Sequence, residues 1–97
     1  MKFTCETKAF NAAMAVAGRV IPVKSPVPIL THIKMVTNDN RVTLVGTDGD
    51  TTFEMDVPAT VQTEGAACIP FATLTKFVSA AKATEVTIDM ADSDAKV

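Results

Sequence analysis

The sequence contains no tryptophan and no tyrosine, and aromatic residues make up only 5% of its 97 residues. Alanine and threonine are abundant, with 14 residues each, so small and medium aliphatic side chains must fill the core together with five phenylalanines and five methionines. Such side chains suit a thin packing of two layers better than one deep core. The length fits one domain, and 47% hydrophobic with 21% charged residues is typical of a folded globular chain.

Cysteines and long apolar runs are also scarce. Cys5 and Cys68 are 63 residues apart and form neither a CxxC motif nor a metal-binding spacing. We expect two reduced thiols that act as small core residues, while a single disulfide stays open as an alternative for a secreted chain. No apolar run is long enough to span a bilayer, and the first residues lack the pattern of a secretion signal. The expectation is a cytoplasmic protein without a membrane partner.

Catalytic and metal-binding patterns are missing as well. His32 is the single histidine, and it lies within a predicted strand without a nucleophile or a glycine elbow beside it. The acidic segment 48–56 fails the calcium-loop spacing, because Ala59 stands where a glutamate ligand is required. Residues 46–49 lack the lysine and the helix start of a phosphate-binding loop. We therefore expect a hairpin turn at 48–50, and we predict no catalytic residue, no metal and no cofactor.

Apolar spacing predicts strands interrupted by two helices. Residues 7–21 and 71–83 repeat apolar side chains at helical spacing, and Thr7 is a typical N-cap residue. The buried side of the second helix is predicted to carry Leu74, Phe77, Val78 and Ala81. Alternation and turn residues predict strands at 1–5, 29–37, 41–47, 52–61, 67–70 and 85–90. This order of strand, helix, three strands, strand, helix and strand predicts an α+β fold, with two helices packed on one face of an antiparallel sheet.

The net charge of −2 conceals an uneven distribution. Residues 1–48 carry six basic and three acidic side chains, a balance of +3. Residues 49–97 carry three basic and eight acidic side chains, a balance of −5. These numbers fit a basic face on an acidic body, and such a face attracts nucleic acid even when the net charge is negative.

Five basic residues on or near the predicted helices are candidate DNA-binding residues. Lys8 and Arg19 are eleven residues apart, about three helical turns, so they fall on one line of the first helix. Lys24 lies in the proline-containing loop that follows, while Lys76 and Lys82 lie on the second helix. No aromatic platform accompanies them, so any DNA contact would go to the backbone and be independent of sequence. Ordinary solvated helix faces are the alternative interpretation of the same residues.

Four short segments, in order along the whole chain, resemble a known family. They are Met-Lys-Phe-Thr at 1–4, the loop at 24–30 that ends in Pro-Ile-Leu, Gly-Thr-Asp at 46–48, and Ile-Pro-Phe-Ala at 69–72. Together they are similar to the N-terminal domain of the bacterial DNA polymerase III beta subunit, the replicative sliding clamp. The chain departs from the family pattern at 49–52, and the helix at 7–21 lacks the usual leucines.

The resemblance implies a DNA-clamp-like domain in a non-catalytic processivity factor of a DNA-directed DNA polymerase holoenzyme. In this family, three similar domains form each protomer, and two protomers close into a homodimeric ring around double-stranded DNA with the helices lining the hole. Lys24 matches a basic loop residue of the family that touches DNA. DNA polymerase III and the clamp loader would bind parts that are absent here. Residues 95–97 begin a new alternating segment, so we expect residues 1–97 to be an N-terminal clamp domain that is incomplete at its C-terminal end.

Two other classes of function stay open at this point. One is a small α+β protein-interaction module without a DNA role. The other is an enzyme that uses the aspartates of segment 48–56, although the sequence offers no partner ligand for them. The clamp and the interaction module differ in whether Lys8, Arg19, Lys24 and Lys76 point to a common face.

Overall fold

The computed structural model describes residues 1–21, 31–80 and 83–90. Within them, strands and helices follow in the predicted order, with one strand more than expected. The elements are β1 Lys2–Glu6, α1 Thr7–Ala17, β2 His32–Asn38, β3 Arg41–Thr47, β4 Thr52–Pro58, β5 Thr60–Thr63, β6 Gly65–Pro70, α2 Phe71–Ala80 and β7 Glu85–Asp89. The predicted α+β class is confirmed. The proline-containing loop at 22–28, Ala81, and the turn and new segment at 92–97 lie outside the described residues.

The described strands form two antiparallel sheets rather than the single sheet that the sequence predicted. One sheet has the order β4-β3-β2-β6, and the other has the order β5-β1-β7. The predicted strand 52–61 divides between them, because β4 pairs with β3 up to Pro58 and β5 pairs with β1 from Thr60 onward. Proline has no N–H to donate to a ladder, so the pairing of β4 ends there and the chain crosses to the second sheet. The backbone N–H of Ala59 donates to Asn40 O at 3.1 Å across this crossing.

One hydrophobic core joins both sheets to both helices. Phe3 of β1 and Phe10 of α1 are fully buried, and their ring centroids lie 6.2 Å apart. Small residues of α1 let the helix approach the sheets, since Ala13 and Ala17 are also buried. The other large side chains that are fully buried are Ile33, Met35, Val42, Leu44, Leu74 and Val78. This packing of small and medium side chains agrees with the composition.

The β2–β3 hairpin follows the turn chemistry that the sequence predicted at 38–40. Its two-residue loop is formed by Asp39 and Asn40, which have φ angles of 48° and 58°. Two consecutive positive φ angles are typical of the type I′ turn, whose twist matches that of a β-hairpin. Aspartate and asparagine tolerate this left-handed region better than most residues, which explains why the turn forms without glycine.

The first helix begins and ends differently from the prediction. Glu6, not Thr7, is the N-cap residue, and it makes no side-chain capping bond. Thr7 is the first helical residue, and its backbone N–H donates to Thr84 O at 2.9 Å. That bond satisfies one N–H at the helix start through a distant backbone carbonyl, so no capping side chain is needed for it.

The helix ends at Ala17, and the backbone continues through a helix-like turn to Ile21. Ile21 is buried against Gly46 of β3, where an added Cβ would lie 2.6 Å from Ile21 Cδ1. The Gly-Thr-Asp segment at 46–48 therefore has a packing role at its first residue. Glycine leaves the room in which the chain leaving α1 packs on the sheet.

The second helix corrects one predicted core residue. Leu74 and Val78 are buried as expected, but 73% of Phe77 is exposed. Leu74 and Val78 are four residues apart and set the side that faces the sheets, whereas Phe77 is rotated from Val78 by about 100°. The helical period placed Phe77 at the edge of the apolar stripe of α2. Spacing does not show how wide a part of the helix surface the sheets cover, so the exposure of Phe77 could not be predicted from it.

Candidate nucleic-acid interface

The two helices lie side by side and share a groove of about 430 Å³. Gly18, at the end of α1, faces the ring of Phe71 at the start of α2, since an added Cβ would lie 3.7 Å from Phe71 Cε2. The groove is lined by Asn11, Met14, Ala15, Gly18 and Arg19 on one side and by Phe71, Thr75, Val78 and Ser79 on the other. The helices thus present one joint surface to solvent rather than two separate ones.

This surface contains no carboxylate from either helix. Residues 7–17 and 71–80 include no aspartate or glutamate. The acidic residues of the described part lie on strands and on their turns: Glu6, Asp39, Asp48, Asp50, Glu54, Asp56, Glu64, Glu85 and Asp89. Within the described residues, the acidic side chains are thus confined to strands and their turns, whereas the helices carry cations and no acids.

Three of the five candidate DNA-binding residues lie on the joint helix surface. Lys8 is the second residue of α1, Arg19 lies in the turn after it, and Lys76 lies on α2. All three are exposed, and none forms an ion pair with an acid in residues 1–21, 31–80 or 83–90. Lys24 and Lys82 lie outside the described residues.

Of these three described cations, Arg19 alone lines the groove between the helices. Arg19 lines the shared groove opposite α2, while Lys8 and Lys76 stand on the exposed sides of their helices. The predicted three-turn line from Lys8 to Arg19 needs correction, because α1 ends two residues before Arg19. Gly18 keeps a helical conformation, with φ −63° and ψ −15°, so Arg19 stays close to the path that a longer helix would give it.

Three polar residues that the sequence analysis did not assign to DNA binding line the same groove as Arg19. Asn11 and Ser79 are exposed at its rims, and Thr75 lies between Phe71 and Ser79. Thr75 Oγ1 donates to Phe71 O at 2.9 Å, and Ser79 Oγ donates to Lys76 O at 3.3 Å. Residues 71, 75 and 79 are spaced by four and therefore form one ridge on the surface of α2. This spacing is the sequence signal from which the α2 side of the groove could have been predicted.

The acidic turn at 48–50 has a structural role, as the sequence predicted. Asp48 Oδ1 accepts hydrogen bonds from the N–H groups of Asp50 at 2.9 Å and Thr51 at 2.7 Å. These backbone donors hold the pKa of the Asp48 carboxyl below its usual value. Gly49 adopts a φ of 100° within the turn. Among the described residues, no group of three or more histidines, cysteines, aspartates or glutamates could hold a metal ion.

Burial disfavours the thiolate form of both cysteines. Both cysteines are free. Burial, followed by the charge of Glu85, raises the pKa of the Cys5 thiol to about 11. Burial also raises the pKa of Cys68, against the opposing charge of Lys34. Neutral thiols of this kind are poor nucleophiles. His32 is the first residue of β2, and its Nδ1 lies 3.3 Å from Thr31 Oγ1.

The sequence profile of one family, described as DNA polymerase III beta subunit, N-terminal domain, matches residues 1–97. The chain belongs to this family. The beta sliding clamp of Treponema pallidum (strain Nichols) is 28% identical over 92 residues, which cover 95% of this chain and 25% of that protein. The chain therefore spans about a quarter of the length of this beta sliding clamp.

Solved structures of beta clamps share the fold of this domain. A DNA polymerase sliding clamp from Caulobacter crescentus superposes with a TM-score of 0.86 at 24% identity, over 97% of this chain and 26% of the other. A Helicobacter pylori beta clamp bound to a DNA ligase peptide gives a TM-score of 0.87 at 17% identity, over 95% and 26%. The clamp-domain fold that the resemblance implied is thus confirmed. Neither described helix is long and apolar enough to cross a membrane.

Proposed function

We propose that this chain is the N-terminal domain of a DNA sliding clamp, a non-catalytic processivity factor that encircles duplex DNA and tethers the replicative polymerase. Membership of the beta-subunit N-terminal family supports this function. The observation that carries the proposal is the joint surface of α1 and α2, which holds cations and no carboxylate from either helix. Its exposed cations Lys8, Arg19 and Lys76 have no acidic partner among the described residues, so they can approach phosphates without repulsion from their own helices.

The charge of this surface suits sliding rather than tight binding. For each phosphate that a cation neutralises, the slope of log affinity against log salt concentration becomes steeper by about 0.9. A few cations spread over two helices attract the phosphate backbone of DNA without contacting its bases. The attraction is therefore similar at every position along the duplex, which lets the DNA move. The acid-bearing strands would repel DNA, which favours contact through the helices alone.

Within this surface, Arg19 has the best position for a direct phosphate contact. A guanidinium can donate two parallel hydrogen bonds to a phosphate, whereas a lysine ammonium acts as a point charge. Asn11, which carries a side-chain amide, lines the same groove. Lys24 and Lys82 complete the proposed DNA-binding set on the basis of sequence, and the resemblance favours Lys24 among all five.

The rest of the proposed assembly would come from polypeptide beyond these 97 residues. We assign to it the further domains that close a homodimeric ring and the contacts to DNA polymerase III and the clamp loader. A Helicobacter pylori relative is described as bound to a DNA ligase peptide, which supports recruitment of partner proteins through peptides. Such a replication protein would act in the cytoplasm.

Retention on circular DNA tests this function. The full-length product of the gene is loaded with its clamp loader onto nicked circular plasmid, and bound protein is measured after passage through a sizing column. We expect retention on the circle and loss after a restriction cut, because a ring can slide off only at an end. Equal retention on circular and linear DNA would contradict the ring, and failure to load on either would contradict the clamp function.

A further inference from the structure

The groove between α1 and α2 has two walls that are built in the same way. Each wall contains a ridge of residues spaced by four in the sequence, because such residues lie one above another on a helix. The ridge of the first helix and its following turn consists of Asn11, Ala15 and Arg19, and the ridge of α2 consists of Phe71, Thr75 and Ser79. The groove is therefore elongated along both helices.

The two ends of this groove differ in charge. Gly18 faces Phe71, the first residue of α2, so α2 runs back along α1 from that end. Arg19 follows Gly18 at the same end, and it is the one charged residue among the described residues that line the groove. Asn11 and Ser79 lie toward the other end. Asn11 and Arg19 are eight residues apart, about 12 Å along a helix, so a cationic end and an uncharged polar end are well separated.

The bottom of the groove is apolar and low. Met14 and Val78 line it and are buried, while Ala15 and Gly18 are exposed but small. Even a Cβ added at Gly18 would lie 3.7 Å from Phe71 Cε2, which is an ordinary contact. A ligand that suits these walls has anionic groups joined by less polar ones. The sugar–phosphate backbone of DNA has this alternation of phosphate and deoxyribose.

The two hydroxyls of the α2 ridge differ in how firmly they are held. Thr75 Oγ1 donates to Phe71 O at 2.9 Å, within the normal range for a hydroxyl donor. Ser79 Oγ donates to Lys76 O at 3.3 Å, beyond the usual limit of about 3.0 Å. A hydroxyl has one hydrogen to donate, so a phosphate oxygen can take the proton of Ser79 from a weak bond but that of Thr75 only from a good one.

We infer that the groove holds a stretch of the sugar–phosphate backbone of one DNA strand. One phosphate lies at Arg19, and a further phosphate of the same strand accepts hydrogen bonds from Asn11 and Ser79, with the deoxyribose between them over Ala15. This inference rests on the proposed clamp function, because it assigns two uncharged contact residues to the same DNA-facing surface.

The two ends of the groove respond differently to salt. A phosphate neutralised by Arg19 releases counterions, so this contact weakens as the salt concentration rises. Asn11 and Ser79 donate hydrogen bonds without neutralising a phosphate, so their contribution to affinity is the same at each salt concentration. Phosphates are alike at every base pair, and these contacts are therefore independent of sequence.

Binding of a short labelled duplex to the full-length product of the gene, measured at several salt concentrations, tests the uncharged contacts. Asn11→Ala and Ser79→Ala should each weaken binding about threefold at every salt concentration, with an unchanged slope of log affinity against log salt. Thr75→Val is the matched control on the same ridge, and it should change neither quantity. Unchanged affinity in either alanine variant, or an equal loss in Thr75→Val, would overturn the proposal.

A bulky side chain in the groove tests whether the strand enters it. Ala15→Leu fills the groove, whereas Ala12→Leu adds the same side chain at an exposed position of α1 that does not line it. In the Ala15→Leu background, Ser79→Ala should cause no further loss, because the strand no longer reaches residue 79. In the Ala12→Leu background, the threefold loss should remain. An equal loss in both backgrounds would show that the strand lies outside the groove and would overturn the proposal.

These measurements separate this inference from the proposed function. Retention on circular DNA and a reduced salt slope in Arg19→Ala report the ring and its cationic helix surface. If both results hold while Asn11→Ala and Ser79→Ala bind like the unaltered protein, the inference alone is wrong. If the unaltered protein is not retained and its affinity for DNA does not depend on salt, both proposals are wrong.

Discussion

The helices and the strands of this domain carry opposite charge. Neither helix contains a carboxylate, while the strands and their turns hold all the acidic residues of the described part, beside some basic ones. Several of these acids have structural partners, such as Asp48 with two backbone N–H groups and Asp56 with Thr43 Oγ1 at 2.6 Å. Lys8, Arg19 and Lys76 form no ion pair with any acidic residue in the described ranges. A net charge near zero can thus conceal two surfaces of different use.

Breaking the contact between helix α1 and strand β1 should have the largest effect, a loss of stability. Phe10→Ala removes a fully buried ring that packs on Phe3, and we expect a loss of about 3–5 kcal/mol in the free energy of unfolding. Phe77→Ala should change it by less than about 0.5 kcal/mol, because this side chain is mostly exposed. Urea denaturation followed by circular dichroism measures both. Similar losses for the two variants would contradict the assignment of Phe77 to the surface.

Charge reversal on the helices should have the next largest effect. Arg19→Glu with Lys76→Glu places two carboxylates on the acid-free surface, and we expect the affinity for a short duplex to fall about tenfold or more. Lys2→Glu with Lys34→Glu changes the net charge equally on strands β1 and β2. A comparable loss in this control would show that net charge, not the helix surface, governs binding.

Single neutral substitutions sharpen the comparison further. Arg19→Ala and Lys8→Ala should each reduce the slope of log affinity against log salt by up to about 0.9, since each cation accounts for at most one phosphate contact. Lys34→Ala on β2 should leave the slope unchanged. The slopes come from binding isotherms at several salt concentrations, and an unchanged slope in all three variants would remove these cations from the interface.

The acidic turn should give the smallest effect, and it concerns the fold alone. The pKa of Asp48 is lower in the folded chain than its usual value, so its stabilising contribution is present above about pH 4 and is lost as the pH falls through the folded pKa. Asp48→Asn keeps a side-chain acceptor but cannot titrate. Between pH 5 and 3, the wild type should therefore lose more stability than this variant in urea denaturation. Equal losses would show that the backbone N–H groups do not stabilise the carboxylate.

Much of the fold could be predicted from local patterns. The periods of both helices, the alternation of β3 and β4, and the turn residues Asp39 and Asn40 all act within a few residues. The break at Ala59 depends on which strand each half can pair with, and the cap of α1 depends on the distant carbonyl of Thr84. Such long-range partners leave no mark in local spacing.

The candidate interface was predictable in part for the same reason. The cations Lys8, Arg19 and Lys76 could be identified from the sequence because charge and helical position are local properties. The groove that places Arg19 opposite α2 could not, since it depends on how two helices some 60 residues apart in sequence pack together. Phe77 was misplaced because the sheets leave its side of α2 uncovered.

The most direct test of the account is to locate the DNA-binding surface residue by residue. The ¹⁵N-labelled 97-residue chain is titrated with a short duplex at low salt, and amide shift changes are compared between the helices and the strands. We predict that the changes cluster on exposed residues of α1, α2 and the turn at 18–20, and that they disappear as salt is raised. Changes centred on the outer strand faces, or unaffected by salt, would contradict a DNA-facing helix surface.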